Sequence, residues 1–427
     1  MTTNSVVGLS RRNRQFLPNC YAVYWSALKG FLKNLNVKLL AEESSLSGFA
    51  AFHKDNLRQV AVIEWEEGDG IAEVINDELA SLGYSPVLLR PDQHIPPGVR
   101  VVFTFGPNGK LLPFLRQLED IPADVRPVSV FWNTEGIPDL HLPWPLIELL
   151  SKFRSGGERW LDKSPHQWVR NLTQKQLFNL ALKRMMRFRY LGDLNYAYER
   201  GWVHLIGDTS SVYTQLRSQH GLPTLFIPWG VTQKWYENLN LKRDIDVLWM
   251  GKPASQRRRR ILYQIQQQLK AHGVKMYIAD NEQNPFIFGK TRTEYLNRAK
   301  ITLNITRTWY DDNFMRFILA APNRSLIVSE TLLQHCPQFE AGIHYVAAPV
   351  DKVTETILTY LYDEKKRLQI VENAYQLVMT KLKLSQSMGT LMEAASQHLP
   401  VSETAQVTNV VSKSHSKKAL SLSLPHE

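Results

Sequence analysis

Ten consecutive residues, Gly251-Lys-Pro-Ala-Ser-Gln-Arg-Arg-Arg-Arg260, have the types and the order needed to hold a phosphate. They follow Asp246-Val-Leu-Trp-Met250, an apolar run that reads as a strand ending on glycine. Glycine lets backbone come close to a ligand, a helix start presents unpaired N–H groups, and arginine offers forked donors that match phosphate oxygens. Successive helical residues point about 100° apart, so only one or two of the four arginines can face one ligand. Arg257 and Arg258, nearest the helix start, are the candidates, with Gly251 and Lys252 beside them. A solvated cationic helix is the competing reading, because neither a Walker A nor a GxGxxG pattern accompanies the run.

Two further clusters follow apolar runs. Asn304-Ile-Thr-Arg-Thr-Trp-Tyr-Asp-Asp-Asn-Phe-Met-Arg316 offers Asn304, Thr306, Arg307, Asp311, Asp312 and Arg316 where open α/β sheets bind ligands, although either aspartate would also serve as a helix cap. Asn323-Arg-Ser-Leu-Ile-Val-Ser-Glu330 ends in a carboxylate placed to accept from two ribose hydroxyls, or else in a helix start capped by Ser329. Nearer the N-terminus, Glu64-Trp-Glu-Glu-Gly-Asp-Gly70 and Trp132-Asn-Thr-Glu-Gly136 follow strand-like runs, and His204 lies within another. Glu135, Asp69 or His204 would suit a general base toward an acceptor hydroxyl, each with a purely structural alternative. The histidines show no HExxH or paired ligand spacing, so no metal site is expected.

The elements that must position these groups alternate. Short apolar runs at 60–63, 87–89, 101–105, 128–132, 203–206 and 225–227 alternate with helical spacing, and a second series occupies 247–250, 274–278, 301–305, 326–328 and 345–347. Short strands separated by helices predict parallel sheets covered on both faces. The division is an N-terminal extension, 1–56, with helical spacing from Tyr21 to Lys38; a first domain, 57–230, with a helical insertion at 150–200; a linker, 231–243; a second domain, 244–400; and a disordered tail, 401–427. Within the insertion, 175–200 has the pattern of a basic amphipathic helix. Such a helix either packs with its cations in water or lies on an anionic membrane face.

Composition bounds the partners. A net charge of +11 suits phosphorylated ligands, nucleic acid or anionic lipid. Aromatic–basic interleaving and helix-turn-helix signals are missing, so no nucleic-acid partner is expected. Cys20 and Cys336 are the two cysteines, which argues for a reduced, cytoplasmic setting and against a disulfide framework or a cysteine zinc site. Met1–Asn19 lacks the apolar run of a signal peptide, and no stretch approaches a membrane span.

The order of features from about 240 to 380 resembles the C-terminal half of CgeB-like glycosyltransferases of the GT-B fold. The residues that carry the likeness are Val247–Gly251 with its arginines, Arg292-Thr-Glu-Tyr-Leu-Asn-Arg-Ala-Lys-Ile-Thr-Leu-Asn304, Arg316-Phe317, Leu326-Ile-Val-Ser-Glu330, Phe339-Glu-Ala-Gly342 and the helix from Leu361 to Tyr375. The resemblance implies two Rossmann-like domains facing across a cleft, the second holding a nucleotide-sugar co-substrate without metal or other cofactor. The first would hold a glycan, lipid-linked or protein acceptor. It further implies Lys252, Arg257 and Arg258 on the diphosphate, Asn304 and Arg316 near the donor, and Glu135 or His204 toward the acceptor. The family often carries Arg-x-Phe-Glu before its next strand, with the glutamate on the ribose and a glycine further on. That register places Leu319 at the glutamate and Arg324 at the glycine, leaving Glu330 or Asn323 to take the ribose. The expected function is therefore metal-independent sugar transfer, with a catalytically inactive sugar-nucleotide- or glycan-binding protein or scaffold as the alternative.

Overall fold

The structure is a computed structural model. It describes residues 58–65, 70–106, 111–163, 185–308, 311, 314–332 and 339–398. The expected N-terminal extension and tail, Asp69, Asp312 and positions 175–184 of the expected basic helix lie outside the described residues.

The first series of elements is β1 (Gln59–Ile63), α1 (Gly70–Ser81), β2 (Ser85–Leu89), β3 (Val101–Gly106), α2 (Leu111–Leu115), β4 (Val128–Asn133), α3 (Trp144–Lys163), α4 (Met186–Glu199), β5 (Leu205–Asp208), α5 (Ser211–Gln219) and β6 (Thr224–Phe226). The second is β7 (Ile245–Met250), α6 (Gln256–Ala271), β8 (Met276–Ala279), α7 (Gly289–Arg298), β9 (Ala299–Asn304), α8 (Met315–Ala320), β10 (Leu326–Glu330), β11 (Val346–Ala348), α9 (Val353–Tyr362), α10 (Glu364–Lys381) and α11 (Leu384–Ser396). They build two Rossmann-like sheets, ordered β2-β1-β3-β4-β5-β6 and β11-β10-β9-β7-β8, with every strand pair parallel. Every residue of β3 and β4 is buried, as expected where helices cover both faces. In each sheet the first strand pairs with both the second and the third, so successive crossovers leave in opposite directions and open a crevice at the carboxyl ends.

Two features mark the join between the sheets. Val231, Thr232 and Trp235 of the linker are buried, as is Trp229 just before it. Trp132, Trp229 and Trp235 form a chain of rings with centroids 4.4 and 6.2 Å apart. Arg243 caps the C-terminal end of α7, donating to the carbonyls of Leu296 and Ala299 and, at 3.0 Å, to that of Asn323. Burial, with Arg367 and Arg324 nearby, pushes its pKa down to about 10.

The second feature is α11. It belongs in sequence to the second domain yet crosses back to pack on α1, β4 and β5 of the first sheet, burying Leu384, Met388, Leu391, Met392 and Ala395. Where it crosses, Val231 N–H donates to Leu382 O at 2.7 Å and Leu384 N–H to Val231 O at 2.9 Å. A methyl group at Gly230 would overlap the backbone of Lys383 and Leu384. Gly230→Ala is therefore expected to cost about 3 kcal/mol or more in urea unfolding, because backbone cannot yield as a side-chain end can. A cost under about 0.5 kcal/mol would mean the crossing is not that close in solution.

Candidate functional site

The crevice of the second sheet is lined by the ends of β7, β9 and β10. β7 runs out into Gly251, whose φ of +103° favours glycine, and a Cβ there would press on Arg316 Nη2 at 3.3 Å. Arg316, in the first turn of α8, donates from Nε to Met250 O at 3.0 Å and from Nη1 to Asn304 Oδ1 at 3.2 Å. Its guanidinium lies 4.1 Å from the ring centroid of buried Trp249, which donates to Gly251 O at 2.7 Å. Asn304 is turned by its own donation to Ser329 Oγ at 3.0 Å. Both acceptors of Arg316 are neutral. Burial first, then the cations Arg258 and Arg307, push its pKa down to about 9, with Asp311 opposing.

The four arginines of α6 go four ways. Ser255 caps the helix by accepting from Arg258 N–H at 3.2 Å and donates to Arg307 O at 3.2 Å. Arg257 grips both oxygens of Glu330 and donates to Thr306 O at 3.0 Å. Glu330, buried at the end of β10, also accepts from Thr306 N–H at 2.6 Å and from Thr306 Oγ1 at 2.8 Å. Arg258 is buried, donates to Lys252 O at 3.3 Å and approaches Asp311 at 3.9 Å. Burial lowers its pKa to about 10 against the pull of Asp311. Arg259 pairs at the surface with Glu282, and Arg260 is exposed. Lys252 is exposed with Nζ 5.6 Å from the Phe286 ring centroid.

The first sheet meets this crevice through Glu135, just beyond β4. Arg307 donates from its backbone N–H and Nε to Asp311 Oδ2, both at 3.2 Å, and from Nη2 to Glu135 Oε2 at 3.4 Å. Arg187 Nε stands 3.5 Å from the same oxygen. The Glu135 carbonyl accepts from Asn133 Nδ2 at 2.7 Å and from Arg217 at 3.4 Å, and Asp208, buried beside Asn133, pairs with Arg217. Lys252, Arg187, Arg257, Arg258, Arg307 and Arg316 thus gather with Glu135, Asp311 and Glu330, a surplus of cations suited to an anion. No group of three or more His, Cys, Asp or Glu that could hold a metal ion occurs among the described residues.

Two expected site residues, His204 and Asn323, stand elsewhere. His204 comes before β5, at the opposite end of that strand from Asp208 and the crevice, and its Nδ1 accepts from Ser129 N–H at 3.0 Å. Val203-His-Leu-Ile206 was expected as the strand, but pairing begins at Leu205, so the histidine falls on the wrong edge for catalysis. Asn323 likewise precedes β10; it donates to Trp235 O and Leu319 O, both at 2.8 Å, and accepts from Asn297 and Glu237, so it staples the linker rather than meeting a ribose. Leu319 is buried among apolar neighbours in α8. Arg324, at the position of the family glycine, has φ of +57°, stacks 3.8 Å from the Tyr375 centroid and pairs with Glu372.

His204 carries a pH prediction. Burial, then His398 and Arg126, lowers its pKa from 6.5, so the unfolded chain binds its proton more readily than the folded one. Its stabilising contribution is full above about pH 6.5 and is lost as pH falls through the lower folded value. Urea midpoints should therefore fall on acidification from neutral pH, and His204→Gln should flatten that slope; an unchanged slope would assign it to other groups.

The sequence reading missed the grip of Arg187 on Glu135, the Asp208–Arg217 support beneath it and the Trp249 platform. Only Trp249, next to the strand-ending glycine, left a local signal.

Residues 256–393 match a family described as glycosyl transferase-like. The match runs from α6 to α11 and contains the arginines, β9 and β10 of the crevice. A comparison with curated proteins finds no match. Similar solved structures include Anabaena HepE in complex with UDP and glucose, with 10% identity over 80% of this chain and 100% of that one at a TM-score of 0.49. Sucrose-phosphate synthase from Thermosynechococcus elongatus has 11% identity over 79% and 98% at 0.48, and WaaG, a glycosyltransferase involved in lipopolysaccharide biosynthesis, has 10% over 80% and 99% at 0.48.

Proposed function

We propose that the protein is a glycosyltransferase of the CgeB-like branch of the GT-B fold, moving a sugar from a nucleotide-linked donor to an acceptor hydroxyl. The observation that carries this reading is Arg316, a guanidinium with neutral partners beside Gly251, in a pocket where burial first, and the neighbouring cations after it, depress its pKa. A diphosphate there supplies the missing negative charge.

In this reading Arg316, Lys252 and the backbone of Gly251 face the diphosphate, with Arg258 holding Lys252 and Asp311 in place. The bond from the sugar's anomeric carbon to the diphosphate oxygen breaks, and one from that carbon to the acceptor oxygen forms. Charge growing on the departing diphosphate meets guanidiniums already in position, so no metal is invoked. Glu135, supported by Asn133 and Arg217, stands on the acceptor side to take the hydroxyl proton once Arg307 is drawn to the phosphate. Glu330 can reach a ribose only by loosening its bonds to Arg257 and Thr306.

Thermal melting with UDP-, GDP-, ADP- and CMP-linked sugars tests the donor site. A donor at ~100 times its dissociation constant should stabilise by roughly 2.7 kcal/mol. No shift with any of them would sink the reading. Leu319 in place of a carboxylate favours a second reading, donor binding without transfer; stabilisation with no consumption of the nucleotide sugar in the presence of candidate acceptors would select it.

A further inference from the structure

α3 is packed inside out. The side turned to α4 buries Ser151, Arg154 and Ser155 beside Ile147, and a Cβ on Gly192 of α4 would overlap the backbone of Ser151. Leu146, Leu149, Phe153 and Trp160 fall within about 60° of one another on the opposite side. Their relative exposures are 39%, 64%, 73% and 62%. The spacings along the row are those of a coiled-coil seam, with Gly156 at the heptad position between Phe153 and Trp160. A row of large apolar side chains left in water marks a docking face.

The row is complementary to its own reverse, and this identifies what docks. Laid antiparallel about a two-fold axis, in the register that sets Phe153 against Gly156 of the second copy, α3 also sets Leu149 against Trp160 of that copy. A Cβ on Gly157 would meet no atom within 4 Å, and one on Gly156 would lie 3.7 Å from Arg159 Nη2, so a phenyl ring has room above the two glycines. The charges beside the row are already compensated: Lys152 pairs with Glu148 at 2.9 Å, and Arg159 is drawn to Ser155 and Asp193 on the α4 side. With ~150–250 Å² as the full surface of each such side chain, the exposed fractions amount to about 500 Å² per copy, or roughly 1,000 Å² across a symmetric pair, the least a specific interface needs. We propose that the protein forms a reversible homodimer through antiparallel packing of α3 on α3 of a second copy, with Phe153 of each entering the space above Gly156 of the other. Such a contact uses the same face on both copies, so it closes at two.

Sedimentation velocity of the full chain from about 0.1 to 100 µM is the test, because so small an interface belongs to the weak, exchanging class. Wild type should pass from monomer to dimer across that range and go no further. Phe153→Ser with Trp160→Ser should move the midpoint to at least about tenfold higher concentration. Both side chains are exposed, so circular dichroism and melting of this double variant at monomeric concentrations should match wild type. Gly156→Leu should weaken association by a similar factor, although it adds an apolar side chain that would strengthen a merely sticky face. Its melting temperature should equal or exceed that of wild type, since a glycine leaves a helix interior. A chain that stays monomeric overturns the proposal, as do association beyond the dimer, undiminished association of the double variant, or association of Gly156→Leu as strong as that of wild type. No nucleotide sugar enters these measurements, so their outcome is independent of the donor test.

Discussion

Arg316→Met is expected to leave the unliganded fold as stable as wild type, or slightly more so, while removing nearly all stabilisation by a nucleotide sugar. Its two hydrogen bonds go to neutral oxygens, and Arg258 and Arg307 repel its charge. Methionine keeps an adaptable apolar chain against Trp249 and relieves the crowding. A diphosphate would lose a forked, charged donor, about 1.5–3 kcal/mol, which corresponds to roughly 10–150-fold in affinity. If transfer is followed, kcat/KM should fall by about 10²–10³, the range for removing one donor to a developing anion. Arg316→Lys should be intermediate, retaining charge without the fork. Melting curves with and without donor decide the matter: an undiminished donor shift, or collapse of the unliganded variant, would make Arg316 a structural residue.

Glu330→Ala should have a large effect on stability. It strips two bonds from Arg257 and leaves Thr306 N–H and Oγ1 without their acceptor in a buried place. Removing one partner of a buried pair costs about 3–5 kcal/mol, and the lower end applies because Arg257 keeps access to water at one side. Arg257→Met should cost less, since Thr306 continues to satisfy the carboxylate. With Glu330→Gln in a double-mutant cycle, the coupling should be about 1–3 kcal/mol. Guanidinium unfolding measures it, and single variants within about 0.5 kcal/mol of wild type would mean that the pair is loose in solution.

Much of the fold was legible because buried parallel strands are short continuous apolar runs, and Val60–Ile63, Val101–Phe105, Val128–Trp132 and Val247–Met250 are of that kind. Gly251 was legible for the same reason, as a glycine ending such a run. The strand edge at His204 was not, because apolar character extends before the first paired residue. The destination of α11 was also hidden. Leu384, Met388, Leu391 and Met392 announce a buried helix face, but periodicity does not say which sheet buries it. Within the site, the 100° rule correctly scattered the four arginines, yet it could not show that Arg257 turns to Glu330, a partner 73 positions away. Pairings such as Glu135 with Arg307, 172 positions apart, exist only once both sheets have formed.

The return of α11 to the first sheet means that the molecule cannot be dissected where its sequence invites division. A fragment ending in the linker near 243 would lack the cover for β4 and β5, and the complementary fragment would carry Leu384, Met388, Leu391 and Met392 on a stray amphipathic helix. Each piece alone should aggregate, whereas mixing the two during refolding should let the helix find its sheet and restore a soluble complex.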